Sequence, residues 1–208
     1  MTFSLDEMTG IQALERTMPD IAMKPGRCVR VEFEYIRHGT QTLIATLNVA
    51  SGRIEQATVG DTRTEADLEA HLSTLLARVA EAPKIHLVMD CLNTHQSEAM
   101  VRLVNALEPQ PLELGQKGKS GILKSMDTRM AFLKDPSHRL VVHFTPKHCS
   151  WLNQIEIWFS ILVRKLLKRS SSKSKAHLKQ KILDFIDYFN RTLAKPFKWN
   201  YTGKPLIA

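Results

Sequence analysis

Two short apolar runs set the strongest limit on how this chain can fold. Ile85–Met89 and Leu140–Phe144 are almost wholly apolar, which is typical of strands buried on both faces of a sheet. Such strands need helices above and below them. The spacing of apolar residues predicts helices at about residues 64–80, 95–107, 151–168 and 175–193. The chain is therefore predicted to form an α/β domain, a mixed sheet flanked by helices.

The N-terminal part predicts antiparallel strands ahead of this alternating region. A short strand is expected at 2–5, a half-buried strand at 31–35, and a hairpin of strands 43–49 and 54–59 joined by a turn at 50–53. Thr64 and Asp67 form a capping-box pattern at the start of the first helix. Residues 108–138 carry early prolines and a glycine-rich stretch, with a possible short helix at 126–133. We interpret them as an insertion or mobile loop.

Three acidic residues fall where the predicted elements end or begin. Asp6 is expected at the end of the first strand, Asp90 directly after the strand Ile85–Met89, and Glu156 on the helix after the last strand. If the first strand and the strand that precedes Asp90 are neighbours in the sheet, their ends bring both carboxylates together. Carboxylates suit Mg²⁺ or Mn²⁺, and two such ions can promote in-line phosphoryl transfer. On spacing alone, Asp90 could equally be a helix cap and Glu156 a solvated helix residue.

Positive charge is concentrated in the C-terminal third of the chain. The net charge is +8, but residues 139–208 hold 14 Lys and Arg against 3 acids, which leaves the rest mildly acidic. This asymmetry predicts a polyanionic partner docking on one side, and DNA is the expected one. An acid-free run supplies the predicted phosphate contacts, with a solvated helix end as the alternative: Arg164, Lys165, Lys168, Arg169, Lys173 and Lys175.

Composition narrows the setting in which the protein works. Its 3 cysteines are far apart and form no C-x-x-C pair, which predicts free thiols in a reducing compartment and no structural zinc site. No apolar stretch approaches the roughly 18 residues that a membrane span needs, and the N-terminus does not resemble a signal peptide. A cytoplasmic protein without a membrane partner is expected.

Local strings around the three acids resemble the catalytic blocks of mariner-related insertion-sequence transposases from bacteria. These strings are LDEM at 5–8, LVMDCLNTH at 87–95 and HFTPKHCSWLNQIE at 143–156, and the tail from 195 to 206 is similar to the C-terminal end of that family. The resemblance implies an RNase H-like fold and cleavage and joining of DNA strands near the bacterial nucleoid. Asp6, Asp90 and Glu156 would then be the metal-binding catalytic triad, with Mg²⁺ as cofactor and Mn²⁺ as its substitute.

Other residues near these blocks have less certain roles. Trp151 and Asn153 are predicted to line the DNA groove, although Trp151 could equally belong to the core. His95 and His148 are interpreted as structural or phosphate-contacting residues in preference to metal ligands. A homodimer, or assembly with a separate DNA-binding part, is the expected form.

The sequence departs from the family pattern at three places. Cys91 stands where many relatives have Asn beside the second Asp, a position that could tune the metal site. The 65 residues between Asp90 and Glu156 exceed the usual spacer, which makes 108–138 the candidate insertion within a single catalytic domain spanning 1–208. No helix-turn-helix region precedes Asp6, so a fragment, a split-gene product or an isolated domain is expected.

Two rival functions stay open, and the absent helix-turn-helix region and Cys91 favour the first of them. The first is a catalytically silent fragment that binds DNA or transposase subunits. The second is an RNase H-like nuclease that acts on RNA or on RNA–DNA hybrids.

Overall fold

The computed structural model describes residues 1–146 and 148–198. Within them, one sheet is formed by β1 (Thr2–Arg16), β2 (Tyr35–Asn48), β3 (Ile54–Gly60), β4 (Ile85–Met89) and β5 (Leu140–Phe144). The helices are α1 (Glu65–Arg78), α2 (Glu98–Ala106), α3 (Met126–Leu133), α4 (Ile155–Lys165) and α5 (Lys175–Thr192). The C-terminal motif at 202–206 and Lys147 lie outside the described residues.

The sheet combines an antiparallel and a parallel half. Its strand order is β3-β2-β1-β4-β5; β2 is antiparallel to both β1 and β3, and β4 is parallel to both β1 and β5. Helices cover both faces, so the predicted α/β class is confirmed. The order and directions of the strands are those of the RNase H-like fold that the resemblance implies.

A separate apolar core lies on each face of the sheet. On one face α1, α2 and α3 pack against β1 and β4 through residues that include Phe3, Leu5 and Leu87. On the other face α4 and α5 pack against β1, β2 and β3 through residues that include Leu43, Ala45 and Trp158. The interior stripe predicted for the last helix is confirmed, because all of its members are buried: Leu178, Ile182, Phe185, Ile186 and Phe189.

The first strand is much longer than the sequence predicts. β1 continues to Arg16 because β2 pairs with it along most of its length, with register shifts after Met8 and Gln12. Gly10 takes a positive φ of 67° at the first shift, a conformation that glycine adopts without steric cost. Asp6 therefore lies within β1, and the expectation that it ends the strand is wrong.

The predicted strand at 31–35 is also wrong, because no sheet lies beside it. Residues 17–34 leave the sheet as an arm held by the isolated bridges Ile21–Arg30 and Lys24–Arg27, and β2 begins only at Tyr35. Phe33 is 80% exposed. Alternation of apolar and polar residues shows that a segment could form a strand, but a strand needs a partner.

Residues 108–138 pack into the core and do not form a mobile loop. Leu114, Leu123 and Leu133 are buried in the core that α1 and α2 share, and the predicted helix at 126–133 is confirmed as α3. Arg129 on α3 donates from Nε to the carbonyl of Gln96 at 2.8 Å. This segment therefore supports the turn that follows β4, while its status as an insertion stays a prediction.

Helix starts differ from their predicted positions by a few residues. Residues Asn93–Gln96 form a 3-10 turn before α2, which Ser97 caps by accepting a hydrogen bond from the backbone of Met100. Similar turns, Ser150–Leu152 and Leu167–Arg169, flank α4. The capping box of Thr64 and Asp67 is confirmed at α1.

Two expectations from composition can be compared with the fold. All three cysteines are free thiols, as predicted. Among residues 1–146 and 148–198, no helix is both long and apolar enough to cross a membrane.

Candidate active site

Asp6 and Asp90 lie at the point where two parallel strands separate. Ser4 of β1 pairs with Val88 of β4, and no pair follows. Two further residues along each strand lead to Asp6 and Asp90, so an extension of the register would place them side by side. The first strand and the strand before Asp90 are thus neighbours in the sheet, which was the condition for bringing the two carboxylates to one end of it.

Asp6 is a buried carboxylate on the face of β1 that α4 covers. It is 6% exposed, whereas its neighbour Leu5 points into the opposite core. Its Oδ1 accepts a hydrogen bond from the backbone of Glu7 at 2.8 Å, and its Oδ2 accepts from the amide of Asn153 at 3.3 Å. β-strand alternation and the helix above it therefore fix where this side chain points.

Asn153 joins the start of α4 to β1. Its side chain is fully buried, and its Nδ2 donates to the carbonyl of Leu5 at 2.7 Å. Ser4 Oγ donates to Asn153 Oδ1 and accepts from the backbone of Ile155 at 2.9 Å. Asn153 was predicted to line the DNA groove, but burial keeps its side chain from the surface here. Its place in this structure is to hold α4, and hence Glu156, against β1.

Glu156 is in the first turn of α4 and is half-buried. Burial raises its pKa above the ordinary value, and the negative charge of Asp90 raises it further. The hydrogen bonds of Asn153 to Asp6 and of Ile155 to Ser4 place the start of α4, and with it Glu156, beside the part of β1 that carries Asp6.

The second acid is held by residues that follow it in the chain. Asp90 Oδ1 accepts a hydrogen bond from the backbone of Leu92 at 3.0 Å and lies 2.8 Å from His95 Nδ1, within ion-pair distance. The same Nδ1 donates to the backbone carbonyl of Asp90 at 3.1 Å. The hydrogen bond from His95 lowers the pKa of Asp90, with smaller contributions that include the positive charge of Arg63. Asp90 is therefore negatively charged at neutral pH.

Burial raises the pKa of Asp6 to about 7. The hydrogen bond from the Glu7 backbone opposes this shift, while the negative charges of Asp90 and Glu7 add to it. A buried carboxylate among other carboxylates is costly unless positive charge reaches it. The oxygen donors of Asp6, Asp90 and Glu156 fit a hard divalent cation such as Mg²⁺ or Mn²⁺.

The three acids do not form a closed metal site in this conformation. No three His, Cys, Asp or Glu side chains stand in a group that could hold a metal ion anywhere in 1–146 or 148–198. Binding of an ion would have to draw the carboxylates closer together.

An open cavity of about 430 Å³ extends from Glu156 along α4. β1 contributes Glu7, Met8 and Thr9 to its wall, and α4 contributes Arg164 as well as Glu156. Arg164, a predicted DNA contact, therefore lines the same cavity as Glu156, a predicted catalytic acid.

The other predicted DNA contacts continue beyond this cavity. The members of the set that are exposed are Arg164, Lys165, Lys168, Arg169 and Lys173. Lys175 forms an ion pair with Asp61 at 2.5 Å instead. Trp151 is 53% exposed, which rules out the alternative that it belongs to the core.

A buried contact between Glu7, His95 and Asp90 was not predicted. His95 is fully buried, and its Nε2 lies 3.0 Å from Glu7 Oε1. Burial alone would lower the pKa of His95, but the hydrogen bonds to Asp90 and Glu7 outweigh it and raise that pKa to about 10. The sequence offered one signal, since the first block contains Glu7 and the second contains both Asp90 and His95. It could not show that one histidine reaches both.

Cys91, the residue that replaces a common Asn, points toward the next strand. Its Sγ lies 3.3 Å from the carbonyl oxygen of Thr145, which follows β5. Cys91 therefore joins the ends of β4 and β5.

One family model and several solved structures of low sequence identity match the chain. The family described as DDE superfamily endonuclease matches residues 2–179. No curated protein matches the chain. The Mos1 mariner paired end complex with Mn is 12% identical, with a TM-score of 0.37, over 90% of this chain and 53% of that one. The Mos1 strand transfer complex is 12% identical, with a TM-score of 0.38, over 90% and 52%. The chain therefore spans about half the length of these solved proteins.

Proposed function

The chain belongs to the DDE superfamily of endonucleases, and from this membership we propose that it is the catalytic domain of a DNA transposase. It would cleave DNA at the ends of an insertion sequence and join those ends to new DNA. The observation that carries this proposal is that the paired register of β1 and β4 leads to Asp6 and Asp90 at one end of the sheet. The contacts of Asn153 and Ile155 with β1 hold the start of α4, which carries Glu156, at the same end. Asn153 supplies the link that holds α4 in place.

Asp6, Asp90 and Glu156 are proposed to hold Mg²⁺, with Mn²⁺ as a substitute. Bound ions of this kind generate a nucleophile from water or a 3′-hydroxyl group and stabilise the leaving oxygen. Asp90 is ionised and fixed by His95, so it is ready to bind. Asp6 is buried beneath α4, where the amide of Asn153 holds its carboxylate in position.

The exposed bases along and after α4 are proposed to bind the DNA backbone. Arg164 borders the cavity beside Glu156, and Lys165, Lys168, Arg169 and Lys173 follow it in an exposed, acid-free stretch. Phosphate contacts of this kind fix the position of DNA without reading its sequence. Trp151 would contact the same DNA from the turn before α4. Two such domains, paired as a homodimer or joined to a separate DNA-binding part, would hold two ends together.

The substitutions Arg164→Gln, Lys168→Gln and Arg169→Gln, combined in one variant, are expected to weaken binding to duplex DNA and flatten its salt dependence. Each lost phosphate contact lowers the slope of log affinity against log salt by about 0.9, so the slope should fall by about two to three. The measurement is fluorescence anisotropy of a labelled duplex from low to moderate salt. The control replaces Lys117, Lys119 and Lys124, exposed bases in the segment that packs on the other face, and should leave the slope unchanged.

Metal-dependent nicking of supercoiled plasmid tests the proposed function. We expect nicking with Mn²⁺ or Mg²⁺ and none with EDTA or Ca²⁺ alone, and we expect duplex DNA to be cut in preference to an RNA–DNA hybrid of the same sequence. Preference for the hybrid would favour an RNase H-like nuclease. Salt-sensitive DNA binding without cleavage under any metal would favour a silent binding fragment, and either result would overturn the proposal.

A further inference from the structure

The contact between Glu7, His95 and Asp90 results from three separate elements of the fold. Glu7 follows Asp6 on β1, so its side chain points to the opposite face of the sheet. Asp90 follows β4, and the 3-10 turn Asn93–Gln96 comes next and buries the side chain of His95. Arg129 on α3 holds the end of this turn through the carbonyl of Gln96. His95 is thereby placed between two acids that are far apart in sequence.

The chemistry of this contact leaves little freedom to the ring. Carboxylates only accept hydrogen bonds, so a ring nitrogen that faces one must donate. His95 Nε2 faces Glu7 at 3.0 Å, and Nδ1 faces Asp90 Oδ1 at 2.8 Å. The side chains of His95 and Glu7 are 0% and 2% exposed, so water does not replace either partner. Glu7 therefore anchors the outer edge of the ring, and the ring in turn holds Asp90.

The contacts to the Asp90 carboxylate fall on one of its two oxygens. The backbone of Leu92 donates to Oδ1, and His95 Nδ1 lies 2.8 Å from the same oxygen while it also donates to the Asp90 backbone carbonyl at 3.1 Å. Among residues 1–146 and 148–198, no hydrogen bond to Oδ2 is present. A carboxylate held by one oxygen keeps the other available at a fixed angle, which is how partners behind a metal ligand set its orientation.

We propose that His95 is a positioning residue that, anchored by Glu7, fixes the orientation of the Asp90 carboxylate for metal binding. This inference rests on the proposed function, in which Asp90 binds the metal, and adds to it the residue that sets the geometry. Glu7 acts only as the anchor of His95.

Two amide substitutions separate the halves of the contact. In His95→Asn, the side-chain amide lies near the position of Nδ1 and can still donate to Asp90, but it cannot reach Glu7. In His95→Gln, the amide extends to the position of Nε2 and reaches Glu7, but it no longer donates to Asp90. Both variants remove the ring and its charge, so a general loss of packing affects them alike.

The readouts are Mn²⁺ affinity by titration calorimetry, the Mn²⁺ dependence of plasmid nicking, and the melting temperature of the metal-free protein. Loss of a partner behind a metal ligand typically weakens metal binding about 10- to 100-fold, so we expect His95→Gln to raise the Mn²⁺ dissociation constant by at least about tenfold. His95→Asn should stay within about threefold of the unaltered chain, because it keeps the bond to Asp90. In nicking, His95→Gln should need more Mn²⁺ while approaching the same maximal rate.

His71 provides a matched control for a buried histidine. It is 1% exposed and bonds Thr46 and Thr58 at 2.8 Å each, with no contact to the three acids. His71→Asn should lower the melting temperature and leave Mn²⁺ affinity unchanged. If His95→Gln does not fold, Glu7→Ala tests the anchor, and a loss of Mn²⁺ affinity smaller than tenfold but measurable is expected.

Equal Mn²⁺ affinities for His95→Asn and His95→Gln would overturn this inference, as would an equal loss in His71→Asn. Mn²⁺ binding by an unaltered chain that cuts no DNA would count against the proposed function alone, because the affinity comparison would still decide the role of His95. If the unaltered chain binds no Mn²⁺, the inference about His95 and the proposed function are both overturned.

Discussion

Asp90→Asn and Glu156→Gln are each expected to abolish Mn²⁺-dependent nicking of supercoiled plasmid while leaving the fold intact. Each change removes a negatively charged oxygen ligand and keeps the shape of the side chain. Metal ions contribute several kcal/mol of transition-state stabilisation, and a loss of about 4 kcal/mol lowers the rate about 1,000-fold. Asp90→Asn keeps an oxygen that accepts from the backbone of Leu92, and Glu7 stays beside His95, so the protein should remain folded with a lower melting temperature from the lost ion pair with His95. The measurement is the initial nicking rate at saturating Mn²⁺, with the melting temperature recorded for each variant.

The control for these two variants is Asp187→Asn. Asp187 is an exposed acid on α5 that pairs with Arg191 at 2.8 Å, and surface pairs of this kind contribute little to stability. Its rate should equal that of the unaltered chain. Nicking at an undiminished rate by Asp90→Asn or by Glu156→Gln would reject the proposed triad, whatever the stability of the variant.

Local sequence signals predicted the parts of the fold whose cause is local. The capping box of Thr64 lies within four residues, and the buried stripe of α5 repeats at helical spacing. Ile85–Met89 and Leu140–Phe144 were correct because a run of apolar residues needs burial wherever it lies. The length of β1 and the exposed arm at 17–34 were missed because each depends on whether another strand lies alongside.

The residues of the candidate site also differ in whether the local sequence could predict their positions. Asp6 and Asp90 could be paired from sequence because each comes just after residues that pair in parallel strands, although their catalytic role stays a prediction. The role of Asn153 could not be predicted from the sequence, because its partners on β1 are almost 150 positions away. Its amide resembles that of a surface residue until the packing of α4 on β1 is known. The contact from Glu7 through His95 to Asp90 required the strand register and a 3-10 turn that no periodicity indicates.

Asp6→Asn is expected to stabilise the metal-free protein at pH 8 while removing its activity. The pKa of Asp6 in the folded protein is about 7, well above the ordinary 3.8. The fold therefore favours the protonated form. Between about pH 4 and pH 7 the unfolded chain has lost this proton and the folded chain has kept it, so stability falls as pH rises. The full shift corresponds to a loss on the order of 4 kcal/mol, complete above pH 7.

The Asn side chain carries no such charge but offers one acceptor oxygen where Asp6 uses two. A lost hydrogen bond costs about 1 kcal/mol, so the net gain at pH 8 should be about 2 to 3 kcal/mol. At pH 5, where folded Asp6 is protonated, the two proteins should differ far less. Urea unfolding in EDTA from pH 5 to pH 8 measures this difference.

The stability of the unaltered chain must be compared with that of Asp6→Asn at each pH, because the titration of His71 changes stability with pH in the opposite direction. Burial lowers the pKa of His71 to about 4, so its contribution to stability is lost as pH falls from about 6.5 to 4. That contribution is present in both proteins and cancels in their difference. Saturating Mn²⁺ at pH 8 should stabilise the unaltered chain by binding its folded state and leave Asp6→Asn nearly unchanged. A stability difference that is the same at pH 5 and pH 8 would show that burial does not hold Asp6 in its protonated form, and that the site does not depend on a cation to offset the charge of Asp6.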